Sequence, residues 1–342
     1  MKEKIKSFSW KDILNLRLEI FGFCAIWIVL FHLYSNIGIS DFPGSSVLSL
    51  VIAVGNCSVD IFLFLSVIGL YHSMSKNSVR TFYKNRVVRV MIPFVLVAIP
   101  FFIWFDFFFA HDGVGQFLLN FSTLNYWLSP DYPVWYVSFI LFAYTLFPLL
   151  YKADVKTKHI TTIGLIALAV ITEYVLMINE TSLYGYAERA FSRIPVFLVG
   201  LLVAKCILSD KGVKLWHVIS CAVIGIVCFA VLSFVPIHIM INRYLCGIMG
   251  ICIIVVYGFF RKCIPIGFIS KALTWLGAIS FEIYIVHVFM LRVIKHSQWW
   301  DHIPYIAVWY MIVLAATVAI SKLVSAVSAL IKLKRTPANG KK

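Results

Sequence analysis

His32 stands at the far end of one of the most apolar runs in the chain, EIFGFCAIWIVLFHLY, from Glu19 to Tyr34. A leucine would fill that place at no electrostatic cost, so the imidazole needs a reason. Few ionisable residues share such surroundings: His32, Asp60, Glu173, Arg193, Arg243, Glu282 and His287. Burying one at the centre of a bilayer costs about 2.5 to 3.5 kcal/mol on insertion scales, and by default it marks a site or a pathway. A histidine held by a carboxylate is the equipment of a general base. The carboxylate fixes the tautomer and stabilises the imidazolium formed when the ring takes a proton, with a hydroxyl as the natural proton source. The same residue types also suit a buried histidine satisfied by a backbone carbonyl, and Arg193 and Arg243 suit side chains snorkelling from span ends.

The elements that must position these groups are membrane helices. The chain is 61% hydrophobic and only 13% charged, where a soluble domain runs to about a quarter charged. Apolar runs of roughly 17 to 25 residues, long enough to cross a bilayer, recur along its length. Their cores are Leu14 to Tyr34, Cys57 to Met74, Val90 to Phe109, Val134 to Leu150, Ile160 to Ile178, Ile194 to Leu208, Val213 to Val235, His238 to Phe259, Leu273 to Leu291 and Tyr305 to Leu330. The expected fold is all-α, a polytopic helical bundle forming a single integral membrane domain over residues 1–342, with no soluble domain. The connector from Ala110 to Pro133 reads as a surface loop or re-entrant segment. Gly55, Asn56 and Ser58 favour a second span starting near Cys57, with Ser58 as cap and Asp60 in the first turn. That start brings Asp60 to the depth of His32, and the ninth span lifts His287 to the same level.

A formal charge of +15 raises the question of nucleic acid, and its distribution answers it. Basic residues crowd every second loop: Lys76, Arg80, Lys84, Arg86 and Arg89, then Lys152, Lys156 and Lys158, then Lys205, Lys211 and Lys214, then Arg261, Lys262 and Lys271. The ends, 1–13 and 332–342, are basic as well, while the remaining loops hold few cations, such as Arg189, Arg292 and Lys295. This positive-inside pattern implies a multi-pass protein of the cell membrane with both termini cytoplasmic, and no nucleic-acid partner. The first span has no small-residue cleavage site and reads as retained. The eight cysteines form no CxxC pair and read as buried apolar groups, giving neither a disulfide frame nor a metal site.

Six stretches in order carry a family resemblance: GFCAIWIVLFH ending at His32, SVDIFLFLSVIGLY from Ser58, FYKNRVVRVMIPF from Phe82, PVWYVSFILFAYTLFPLLYK from Pro133, RIPVFLVGLLVAK from Arg193 and LGAISFEIYIVHVFML from Leu276. The chain resembles the acyltransferase-3 family of integral membrane acyltransferases over nearly its full length. The resemblance implies transfer of an acyl group, most often acetyl, from cytoplasmic acyl-CoA to a hydroxyl of a cell-envelope or exported polysaccharide, with no permanently bound cofactor. His32 falls on the family's first-span histidine, the base, with Asp60 expected to orient it. Arg86 and Arg89 fall on its RxxR motif, where two cations at the cytoplasmic face suit coenzyme A phosphates and also suit a positive-inside anchor. Ser280, Glu282, Tyr284 and His287 match an SxExYxxH run. Together with Tyr136 and Arg193, they are expected to support the site or meet the acceptor. Trp127, Trp135, Tyr136, Trp299 and Trp300 suit stacking on sugar rings, and still better the aromatic belt at the membrane surface.

Two positions depart from the family pattern. Phe21 stands where an arginine is usual, eleven places before the histidine, and Val67 replaces a frequent glycine. Arg17 is the nearest substitute. At 1.5 Å per residue it stands roughly 22 Å below His32, about the length of a pantetheine arm, and about 60° around the helix. A transporter or glycan flippase would also carry buried His, Asp and Glu. It would not need the Arg86 and Arg89 pair, and the hydropathy shows no inverted repeat. Within the family, transfer of succinyl or another acyl group fits the residues equally well.

Overall fold

A computed structural model describes residues 8–37, 45–129, 132–209, 211–264, 266–297 and 305–335. The basic tails, apart from their inner edges, and Trp299 and Trp300 lie outside the described residues. A short helix α1 (Trp10–Asn15) precedes α2 (Arg17–Ile37), α3 (Ser45–Ala53), α4 (Cys57–Lys76), α5 (Val79–Ile103), α6 (Gly113–Phe121), α7 (Trp135–Lys156) and α8 (Ile160–Ile178). Then follow α9 (Ser182–Phe191), α10 (Ile194–Leu208), α11 (Leu215–Phe234), α12 (Ile239–Cys263), α13 (Gly267–Ala278), α14 (Ser280–Ser297) and α15 (Ile306–Arg335). Among the described residues nine helices are long and apolar enough to cross a membrane, and ten if α13 and α14 count as one bent span. The protein is a polytopic all-α bundle.

Burial sorts the helices. The α3–α4 span is the central column, with 78% of its most apolar window buried, against 11% for α8 and for α11. Leu168 and Ile171 on α8, and Ile219 and Ile226 on α11, turn outward as a lipid-facing surface requires. Buried Glu19 ties the start of α2 to its neighbours, accepting hydrogen bonds from Tyr257 and Arg261 on α12 and from Ser270 on α13. Below it, α1 is closed by Asp12, which accepts the Ser9 backbone N–H at 2.9 Å and pairs with Lys262 at 3.3 Å.

Three segments depart from the sequence expectation. Helix α4 begins at Cys57 as expected, but the span does not start there from a loop. It arrives from α3 through one tight turn, Val54–Asn56, so Ser58 is not a cap but a fully buried residue inside α4. A helix entered from a helix has its first N–H groups supplied with carbonyls and needs no side-chain cap. The turn lies against α2, where a Cβ at Gly55 would stand 2.9 Å from the Phe31 Cβ. The Ala110–Pro133 connector is also more than a loop, since it contains α6 and the turn Leu124–Trp127. Its hub is Asn120, which donates to Asp106 at 2.9 Å and whose carbonyl takes the Tyr132 hydroxyl at 2.8 Å. Burial pushes the Tyr132 pKa well above that of a free phenol, which keeps this donor protonated.

The third departure is the ninth span, which bends by 69° between α13 and α14. The bend follows from a backbone contact. A Cβ at Gly22 of α2 would lie 1.9 Å from the Leu273 carbonyl oxygen, and one at Gly277 would lie 1.8 Å from that of Leu18. The two helices touch main chain to main chain, as small residues permit in membranes, and α14 leaves the crossing in a new direction.

Gly277→Ala therefore places a methyl group against a carbonyl with no flexible side chain to yield, and a loss of about 3 kcal/mol or more is expected. Gly164→Ala on α8 meets nothing within 4 Å and should be neutral or stabilising by up to about 1 kcal/mol. Thermal unfolding of both variants in detergent checks the contrast.

Candidate active site

Two cavities meet inside the bundle. The lower, about 70 Å3, is lined by Arg17, Arg86, Arg89, Ser66, Tyr136, Tyr144, Ser280 and Tyr284 among others. The upper, about 400 Å3, is lined by His32, Asn36, Asn56, Trp135, Arg189, Arg193, Arg243, Arg292 and Lys295 among others. Ile28, Val59 and Tyr284 belong to both linings and form the neck between them.

The lower cavity gathers cations without anions. Ser78 caps α5 by accepting the Thr81 N–H at 3.3 Å, and Phe82, one turn on, stacks on Phe147 at 5.6 Å between ring centres. That anchorage carries Arg86, whose guanidinium lies 5.6 Å from the Phe82 ring centre, with Arg89 three residues further. Arg17 comes from the start of α2. Its guanidinium sits 4.9 Å from the ring centre of Phe21, one turn up, and 2.7 Å from where a Cβ at Gly69 would be. Phe21 thus supports the substitute cation instead of supplying one. The Nε atoms of Arg17 and Arg86 are buried without a hydrogen-bond partner, and no carboxylate lines the cavity. Tyr144, absent from the sequence reading, joins them; its signal is the four-residue spacing Tyr136, Ile140, Tyr144, all three lining the cavity.

At the neck, the Tyr284 hydroxyl accepts the Tyr136 backbone N–H at 3.3 Å, and the two rings meet edge to face at 5.2 Å. The hydroxyl proton remains available for a substrate oxygen. Above it, His32 faces His287, with ring centres 5.3 Å apart. His287 is fully buried. Its Nδ1 donates to the Ile283 carbonyl at 2.8 Å, and its Nε2 has no hydrogen-bond partner.

Asp60 does not hold His32, contrary to expectation. Its ion-pair partner is Arg193, at 3.6 Å, with both side chains 2% exposed. Val59 lines the neck beside α2, and the next residue is turned by about 100° on a helix, which aims Asp60 at the start of α10. The pair also overturns the snorkelling reading of Arg193, whose guanidinium lies 5.0 Å from the ring centre of buried Trp135 and donates to the Arg189 carbonyl at 3.1 Å. Arg243 pairs with Glu188 at 2.9 Å. Trp135 therefore belongs to the upper cavity, and Tyr136 to the lower one, rather than to an outer belt. Glu282 is buried but lines neither cavity. Among the described residues, no group of three or more His, Cys, Asp or Glu is placed to hold a metal.

A family model described as an acyltransferase domain matches residues 22–326. The chain belongs to the acyltransferase-3 family. The membrane acyltransferase thus carries its family's domain over nearly all of its length, although no curated protein and no solved structure matches it.

Removing one partner of a buried ion pair leaves an uncompensated charge, so Asp60→Asn should cost the acyltransferase about 3 to 5 kcal/mol of stability. A double variant, Asp60→Asn with Arg193→Met, should recover much of that loss. Denaturation midpoints of the three proteins test this. Equal stability of Asp60→Asn and wild type would mean that the pair contributes nothing.

Proposed function

We propose that this acyltransferase moves an acyl group, acetyl in the simplest case, from cytoplasmic acyl-CoA to a hydroxyl of a cell-envelope or exported polysaccharide, in the cell membrane and with both termini cytoplasmic. The observation that carries the reading is the lower cavity: Arg17, Arg86 and Arg89 converge without a carboxylate in its lining, at the end nearest the basic loops, and the cavity leads through the Tyr284 neck to His32. Three guanidiniums offer charge-assisted, bidentate contacts to phosphate. The roughly 22 Å from Arg17 to His32 along the helix fits an extended pantetheine arm.

In this reading His32 takes the proton of the acceptor hydroxyl as its oxygen bonds to the thioester carbonyl carbon. The Tyr284 hydroxyl, free to donate, faces the negative charge that develops on the carbonyl oxygen. The carbon–sulfur bond breaks, the thiolate of coenzyme A leaves, and the proton held on His32 neutralises it. His287 replaces Asp60 as the neighbour of the base, presenting a nitrogen that can share that proton. Asp60 and Arg193 shape the wall behind the site.

The test is the O-acetyl content of envelope polysaccharide, by proton NMR, in cells lacking the protein and complemented at matched membrane abundance. Wild type should restore the acetyl signals and His32→Ala should not; equal restoration would remove His32 from the chemistry. In purified protein, Arg17→Ala and Arg86→Ala should each weaken acetyl-CoA binding by about tenfold, the order expected for one charged hydrogen bond. Unchanged affinity for Arg17→Ala would return the function of that position to packing.

A further inference from the structure

The helix ends and junctions on the His32 side carry five arginines and lysines: Arg189, Arg193, Arg243, Arg292 and Lys295. All five line the upper cavity. Loops on the side opposite the basic ones are ordinarily depleted of cations, so their convergence on one cavity is not a topology signal. Nor is it a lipid contact, because the same cavity holds His32 and Tyr284. No Asp or Glu lines it. Asp60 and Glu188 compensate Arg193 and Arg243 from behind the wall, and Arg292 lies against the Phe105 ring at 5.2 Å. Arg189 and Lys295 are exposed and have no ion-pair partner among the described residues. Like charges lining one cavity repel one another and raise the local concentration of counter-ions.

Resting on the acyl-transfer reading, we infer that the acceptor is an anionic glycan, a sugar chain whose carboxylate or phosphate groups are gripped by Arg189 and Lys295 while a neighbouring hydroxyl reaches His32. The cations select the acceptor and orient it, and Trp135 and Asn36 complete a wall suited to a sugar ring.

The test measures binding to protein in neutral-lipid nanodiscs through tryptophan fluorescence, with three probes: trigalacturonate, the uncharged galactose trisaccharide, and the same trisaccharide bearing a phosphate monoester. At least one charged probe should bind about tenfold tighter than the neutral one, with an advantage that shrinks as salt rises. Which probe does so separates carboxylate from phosphate. Arg189→Gln with Lys295→Gln should abolish the preference while acetyl-CoA binding, measured in parallel, confirms the fold. Equal affinity for charged and neutral probes in wild type, which needs no variant, overturns the inference, as does a preference that survives the double substitution. If wild type binds the charged glycan but not acetyl-CoA, the donor reading falls and the anionic site stands.

Discussion

The architecture depends on one contact, the main-chain crossing of α2 and α13 at Gly22 and Gly277. A membrane bundle gains little from moving apolar side chains out of lipid, so close packing and internal hydrogen bonds must supply its specificity. At this crossing any side chain larger than hydrogen would collide with a carbonyl. The contact locks the lower half of the ninth span across the first one, and the 69° bend then returns α14 alongside α2. That return brings Tyr284 to the neck and His287 to His32. Glu19 reinforces the same corner by bonding both α12 and α13.

Charge is distributed with equal economy. Three carboxylates inside the bundle are matched to cations: Glu19 with Arg261, Asp60 with Arg193, Glu188 with Arg243. Arg17 and Arg86, by contrast, have no ion-pair partner among the described residues. Desolvating a cation with no anion is unfavourable, and a protein retains such a group where a ligand supplies the missing charge. The lower cavity is in this condition, whereas in the upper one Arg189 and Lys295 stay exposed.

Much of this was legible in the sequence. Runs of apolar residues separated by basic loops suffice for a polytopic helical protein, because in lipid the backbone must satisfy its own hydrogen bonds and a helix does so locally. Arg86 and Arg89, one helical turn apart, were legible as a cationic pair, and Arg17 as the substitute for the cation missing at Phe21. The bend at Ile279 was not. Gly22 and Gly277 are individually ordinary, and only their approach across 255 positions gives them meaning. The folded connector was likewise hidden, since Asn120 and Asp106 become a hub only when α6 folds back.

What the sequence by itself determined is the list of chemistry: which residues are ionisable in an apolar setting, and which runs are long and apolar enough to span a membrane. Those properties are local, set by composition and period. Which of these groups meet was decided by the tertiary structure alone. The sequence reading put Asp60 beside His32 and gave His287 only a supporting role. A helix turns by about 100° per residue, so the single step from Val59 to Asp60 decides whether a carboxylate meets an imidazole or an arginine. That rotation is set by packing against α10 and α12, far away in the chain, and it leaves His287 beside the base.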